Sequence, residues 1–258
     1  LDLLETAENM RVRKNALEAV ARIGRRALPP LRAALENDPE WYLKRNIITI
    51  LGKISGKEAF EILARYMDDP DVRIRREVVR SIAQKRNLAA EDIFIRGLRD
   101  SDHAVRHACI VQLGVLRSRK ALPALLEEID IGLFTRVDEK IFREACTAIG
   151  KIGDKRGVEP LLSILKRRFI RGNLEEIQAS AIWALGEIAD ESARGELTRF
   201  FQGKNPRLRS YAEAALQKLD DKRMDLVAEE LEEEEPTIAR SLDEEPEEED
   251  APSPADPR

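Results

Sequence analysis

Cysteine and histidine occur twice each in 258 residues, and aromatic side chains make up only 5% of the chain. Two cysteines without a CxxC argue against a disulfide framework and a cysteine-built zinc site. So few aromatics suit a core of Leu, Ile, Val and Ala rather than a β-sandwich. No apolar run approaches the length that spans a membrane, so no membrane partner is expected. No charged-then-apolar leader opens the chain, and the reducing cytoplasm is the expected compartment. Gly-rich phosphate loops, GxSxG and HExxH are all missing. Carboxylates are plentiful, but none stands at a spacing that marks an acid/base pair. The chain is therefore expected to be no enzyme and to need no cofactor. It begins with Leu1, already inside a repeat, and is expected to be the C-terminal piece of a longer protein.

What the chain has is a period. Val20, Leu51, Ile82, Leu113, Ile149, Leu185 and Leu216 follow one another at 31 or 36 residues. Eight residues before each stands an aliphatic: Val12, Leu43, Ile74, Val105, Ile141, Ile177 and Leu208. Four before stand Ala16, Ile47, Val78, Cys109, Ala145, Ala181 and Ala212. Positions three after are aliphatic in every copy but one, Lys85. These offsets share one face of an α-helix. Directly after the anchor come small residues such as Gly52, Gly114, Gly150 and Gly186, which let the next helix approach closely. A second, shorter amphipathic helix separates the copies. Each unit is thus a helical hairpin that buries its apolar face against its neighbours only.

The loops DPEWYLKR (Asp38–Arg45), DPDVRIRR (Asp69–Arg76) and DSDHAVRH (Asp100–His107) resemble HEAT repeats. The endings LGKISGKEA (Leu51–Ala59), IGKIGDKRGVEPLL (Ile149–Leu162) and LGEIADESA (Leu185–Ala193) are similar to the bacterial subgroup named after phycobilisome lyases. The resemblance covers roughly residues 1–219. It implies an all-α fold, a right-handed α-solenoid of about seven HEAT-like hairpins, with a disordered acidic C-terminal tail. It also implies a ladder of charges between repeats. Arg13, Lys44, Arg75, Arg106 and Arg209 are its basic rungs and Asp38, Asp69 and Asp100 its acidic ones. Phe142 and Gln178 occupy the basic position of the longer repeats and should interrupt it.

The net charge of −5 hides a division. Residues 220–258 carry 17 Asp/Glu against 4 Lys/Arg, a balance of −13, which leaves the rest at +8. Three regions are expected: a solenoid over 1–219, a capping helix over 220–233 built on Met224, Val227 and Leu231, and a disordered tail over 234–258.

Chemistry-bearing residues are few. His103 and His107 lie four apart near Asp100 and Asp102, a spacing that brings two imidazoles to one side of a helix. Deoxyhypusine hydroxylase, an iron enzyme of this fold, uses repeated His-Glu pairs, which this chain lacks. The histidines therefore read as exposed residues on a polar helix edge, and no metal site is expected. Cys109 and Cys146 fall in apolar columns and read as core.

The binding surface carries more. By the resemblance, the second helix of each hairpin lines the concave side. Its outward positions hold Arg11, Lys14, Arg22, Arg45, Lys53, Arg73, Arg76, Arg80, His107, Lys140, Arg143 and Lys151, a basic stripe in which Glu18 is the only acid. The longer repeats place their extra residues in two loops, Ile129–Glu139 and Lys166–Glu176. Stacking should bring these loops together with Phe134, Arg136, Lys166, Arg167, Arg168, Phe169, Ile170 and Arg171. Trp183 is a further candidate anchor. The expected function is a non-catalytic scaffold that binds a protein segment, preferably acidic, with the chain's own tail as one candidate ligand. Nucleic-acid binding by the basic face is the first alternative. A lyase-type or metal-dependent enzyme is the second.

Overall fold

The computed structural model describes residues 10–83, 90–132, 137–168 and 172–242, with side chains from 11 to 229. All regular structure among them is helical. Seven longer helices carry the periodic anchors: α1 (Met10–Ile23), α3 (Trp41–Lys53), α5 (Val72–Ala83), α7 (His103–Leu116), α9 (Glu139–Ile152), α11 (Leu174–Ile188) and α13 (Pro206–Leu242). Shorter ones alternate with them: α2 (Leu28–Glu36), α4 (Lys57–Arg65), α6 (Glu91–Gly97), α8 (Leu122–Ile129), α10 (Val158–Leu165) and α12 (Arg194–Phe201). Each long helix packs on the long helices before and after it, which makes an α-solenoid.

Local chemistry sets the element ends. Asp102, Asp138 and Asn173 cap α7, α9 and α11 by accepting hydrogen bonds from backbone N–H groups of the first turn. Proline opens α2 and α8, where its missing N–H costs nothing. The residues that close α7, α9 and α11 are Arg117, Gly153 and Ala189, all left-handed.

The apolar columns form one continuous core. Leu51, Leu113, Ile149 and Leu185 are fully buried, as are Cys109 and Cys146 or nearly so. Val20 and Leu216, with a described neighbour on one side only, are half-buried. The small residue after the anchor does what its size suggests. A Cβ on Gly52 would lie 2.5 Å from Ser81 Cβ, and one on Gly186 would lie 2.8 Å from Ala215 Cα. Adjacent long helices therefore meet backbone to backbone at one point per repeat.

The charge ladder is present where the repeats are short. The Lys44 ammonium lies 2.8 Å from Asp38 of its own loop and 3.2 Å from Asp69 of the next. Arg75 chelates Asp100 through Nε and Nη2 at 2.7 and 2.9 Å, and its Nη1 donates to the Asp69 carbonyl. Arg106 keeps only the second kind of bond, to the carbonyls of Asp100 and Ser101. Beyond it Phe142 is packed in the core and Gln178 is buried, so the ladder stops as the resemblance implies.

The C-terminal region differs from expectation. Residues 220–233 form no separate cap but continue α13, which runs unbroken past position 234 to Leu242. No Gly or Pro interrupts residues 207–235, so nothing in the chain ends the helix there. Met224 and Val227, the expected capping contacts, are exposed.

Candidate protein-binding face

The outward positions of the long helices make one continuous face, and the pairing of its charges changes along the chain. In α1, Lys14 and Arg22 are exposed and carry no ion pair among the described residues; Arg11 is exposed as well. In α3, Lys53 is exposed and the Arg45 guanidinium lies 5.8 Å from the Trp41 ring, neither with a carboxylate partner among the described residues. Arg73 of α5 stacks on the other part of this cluster, 3.8 Å from the same ring, while it chelates Asp71. Arg80 reaches Glu77 at only 3.5 Å and is exposed.

From α5 onward several cations of the stripe have acidic partners, which differs from the expectation that Glu18 alone interrupts it. Arg76 chelates Asp102 at 2.6 and 2.9 Å. His107 faces Glu144 at 3.8 Å, and Arg143 lies 3.6 Å from Glu176. Lys218 is bonded to Glu187 and stands 5.7 Å from the Trp183 ring. Lys140 and Lys151 remain exposed. The neutralising acids Glu77 and Glu144 occupy the position five before the anchor, which also lies near the outward face. That column was the missed signal. Glu77 is nearly buried, accepting from Thr49 Oγ1 at 2.9 Å and from Ser81 Oγ. The arginine beside Asp102 and its capping hydrogen bonds hold that carboxyl down to about 2.

The histidines are half-buried at the α7–α9 junction rather than free on an edge. His103 Nε2 lies 2.8 Å from Asp138, and the two imidazoles stack with centroids 6.4 Å apart. Burial, with Lys140 nearby, lowers the pKa of His107. Asp100 and Asp102 are taken by Arg75 and Arg76. No group of three or more His, Cys, Asp or Glu that could hold a metal ion occurs among the described residues. Burial raises both cysteine thiols far above their ordinary range.

Phe134, Arg136, Phe169, Ile170 and Arg171 lie outside the described residues. The described flanks of the two loops are joined: Arg167 donates to the Ile131 carbonyl, and Asn173 N–H donates to Glu139 at 2.9 Å. Lys166 lies 3.7 Å from Glu159, and Arg168 is exposed.

Trp183 is half-buried and forms one wall of a cleft of about 170 Å³ between α9, α11 and α13. Tyr211 lines it too, with Arg143, Thr147, Glu176, Ala179 and Ser180 completing it. Tyr211, Ala179 and Trp41 were not legible as site residues, although Ala179 breaks a column of long polar side chains, Lys14, Arg45, Arg76, His107 and Arg143.

Among known families, the model of HEAT repeats matches residues 1–78 and 61–130. No curated protein matches. Several solved structures are similar. The complex of CpcE and CpcF of phycocyanin lyase from Nostoc is 19% identical, over 72% of this chain and 84% of that one, with a TM-score of 0.46. Human deoxyhypusine hydroxylase in complex with glycerol is 16% identical, over 85% and 93%, with a TM-score of 0.37. A designed armadillo repeat protein in complex with a (KR)4 peptide is 18% identical, over 83% and 95%, with a TM-score of 0.45. Among the described residues, no helix is long and apolar enough to cross a membrane.

Proposed function

The chain belongs to the HEAT-repeat family, and from that premise we propose that it is a non-catalytic scaffold that binds an acidic protein segment along the outward face of its long helices. The observation that carries this reading is the uneven pairing of charge. Over α1 and α3 the cations Lys14, Arg22, Arg45 and Lys53 have no acidic partner among the described residues, and in α5 Arg80 has a weak one while Arg73 and Arg76 are chelated by Asp71 and Asp102. Over α7 to α13, Arg143 faces Glu176 of the next repeat and Lys218 faces Glu187 of the one before, while Lys140 and Lys151 carry no ion pair among the described residues. A surface with unpaired charge of one sign attracts a partner of the other sign and speeds encounter. A surface already neutralised offers shape instead. The Trp41–Arg73 stack holds one ring and one cation in place, so less side-chain freedom is lost on binding there. The joined flanks of the two loops, with Arg168 exposed beside them, form a second contact region in this reading.

The test is a titration of the full chain with an oligoglutamate peptide at low ionic strength. The Arg45→Glu, Lys53→Glu double variant should lose at least tenfold in affinity, about 1.4 kcal/mol, with its thermal midpoint unchanged. Equal binding by the double variant rejects the face. Duplex DNA that binds more tightly than the peptide, with a steeper fall in salt, would turn the reading to nucleic acid.

A further inference from the structure

The cleft beside Trp183 exists because of one missing side chain. In four successive long helices, α3, α5, α7 and α9, the residue six before the anchor is Arg45, Arg76, His107 or Arg143. In α11 it is Ala179 and in α13 it is Ser210. Where the long side chain would lie, the structure has an opening of about 170 Å³. A cavity of about 150 Å³ is large enough for a benzene ring.

The cleft's chemistry selects the occupant. Trp183 and Tyr211 give it aromatic walls. Two of its three hydroxyls are already used, since Thr147 Oγ1 donates to the Arg143 carbonyl at 2.9 Å and Ser180 Oγ to the Glu176 carbonyl at 2.8 Å. The floor therefore presents the Thr147 methyl and the Ala179 Cβ rather than free donors. Arg143, held loosely by Glu176 at 3.6 Å, supplies a guanidinium at the rim that can lie over a ring. An aromatic side chain fits this set, with the Trp183 and Tyr211 rings to pack on and Arg143, already beside Glu176, at its edge.

We infer that the cleft takes an aromatic side chain of the same partner segment whose acidic run lies on Arg45 and Lys53 of α3 and Arg80 of α5. This rests on the scaffold reading above. Four helix-to-helix steps separate α3 from α11, and packed helices lie roughly 8–10 Å apart, which gives about 30–40 Å. An extended chain covers that in about 10–12 residues. The partner segment thus carries its aromatic residue about ten positions from its acidic run. The chain's own residues 220–258 are rich in acids but contain no Phe, Trp or Tyr. They match one half of the recognition and leave the cleft empty, which separates the tail from a partner.

The probe is a synthetic peptide with one Phe, a Pro-rich extended spacer and four Glu, made in both chain orders. Spacers of about 4, 11 and 18 residues bracket the span. A Glu-only peptide is the reference, and all are titrated against the full chain. The spacer of about 11 should bind at least tenfold more tightly than the reference, and the other two should not. Ala179→Leu fills the cleft, and Tyr211→Ala removes a half-buried wall. Each should abolish the excess and leave the reference affinity unchanged, with helicity by circular dichroism confirming the fold. No excess at any spacing, or an excess that survives both variants, overturns the cleft and leaves the basic face standing. Failure of the Glu-only peptide to bind overturns the face and, with it, this inference.

Discussion

At the scale of the residue, the recurrent device is one carboxylate used twice. Asp102 caps α7 by accepting from Val105 N–H and also chelates Arg76 of the preceding repeat. Asp100 likewise turns the loop, accepting from Asp102 N–H, and holds Arg75. Each therefore ties local structure to the inter-repeat contact. The carboxyl of Asp102 is held down to about 2, below its ordinary value near 3.8. A depressed carboxylate stabilises the fold fully above its unfolded pKa, and that contribution is lost as pH falls through the folded one. Asp102→Ala should accordingly cost about 1 kcal/mol at neutral pH, the usual value of a lost cap. The gap from the unsubstituted chain should close as pH falls from about 4 towards 2. Urea midpoints measured across that range check it; a gap independent of pH would mean that the charge contributes nothing.

At the scale of the element, the close approach of long helices decides which small residues are structural. Gly186 sits in the interior of α11 with Ala215 backbone 2.8 Å from where a Cβ would be. Alanine there gains about 1 kcal/mol of helix propensity. It also forces two packed helices apart, and overpacking costs about 1–3 kcal/mol. A net loss is expected for Gly186→Ala. Gly195 in α12 has nothing within 4 Å of a Cβ. Gly195→Ala should stabilise by about 0.5 kcal/mol. Thermal midpoints of the two variants must move in opposite directions; a shift of the same sign in both would show that propensity alone is being read.

At the scale of the whole molecule, charge is distributed unevenly along the chain. Removing residues 234–258 takes away ten acids and two bases and changes the net charge from −5 to +3. A segment tethered by a short flexible linker acts at an effective concentration in the millimolar range, where weak attraction is enough to compete with a free peptide. Deletion of 234–258 should raise the affinity for oligoglutamate several-fold at low salt and leave it unchanged at about 0.5 M, where the Debye length is only a few Å. An affinity that deletion does not change at low salt would show that the tail leaves the face alone. The exposed Met224, Leu226 and Val227 of α13 stand between this acidic segment and the packed repeats.

The sequence by itself determined the repeat, the apolar columns, the two thiols in the core and the small residues at the close approaches, while the charged ladder came from the resemblance to HEAT repeats. All of these are periodic, and a solenoid buries each residue against the equivalent place in the next unit, so one column read along the chain predicts the contact. Tertiary structure alone decided which outward cations are paired. Arg76 meets Asp102, and Arg143 meets Glu176, across loops of unequal length, so the partner's sequence distance changes with each repeat. It also decided that α13 continues through the expected cap, and that Ala179 opens a cleft. An absent side chain becomes a site only when its walls, Trp183 and Tyr211, come from different helices and stay apart.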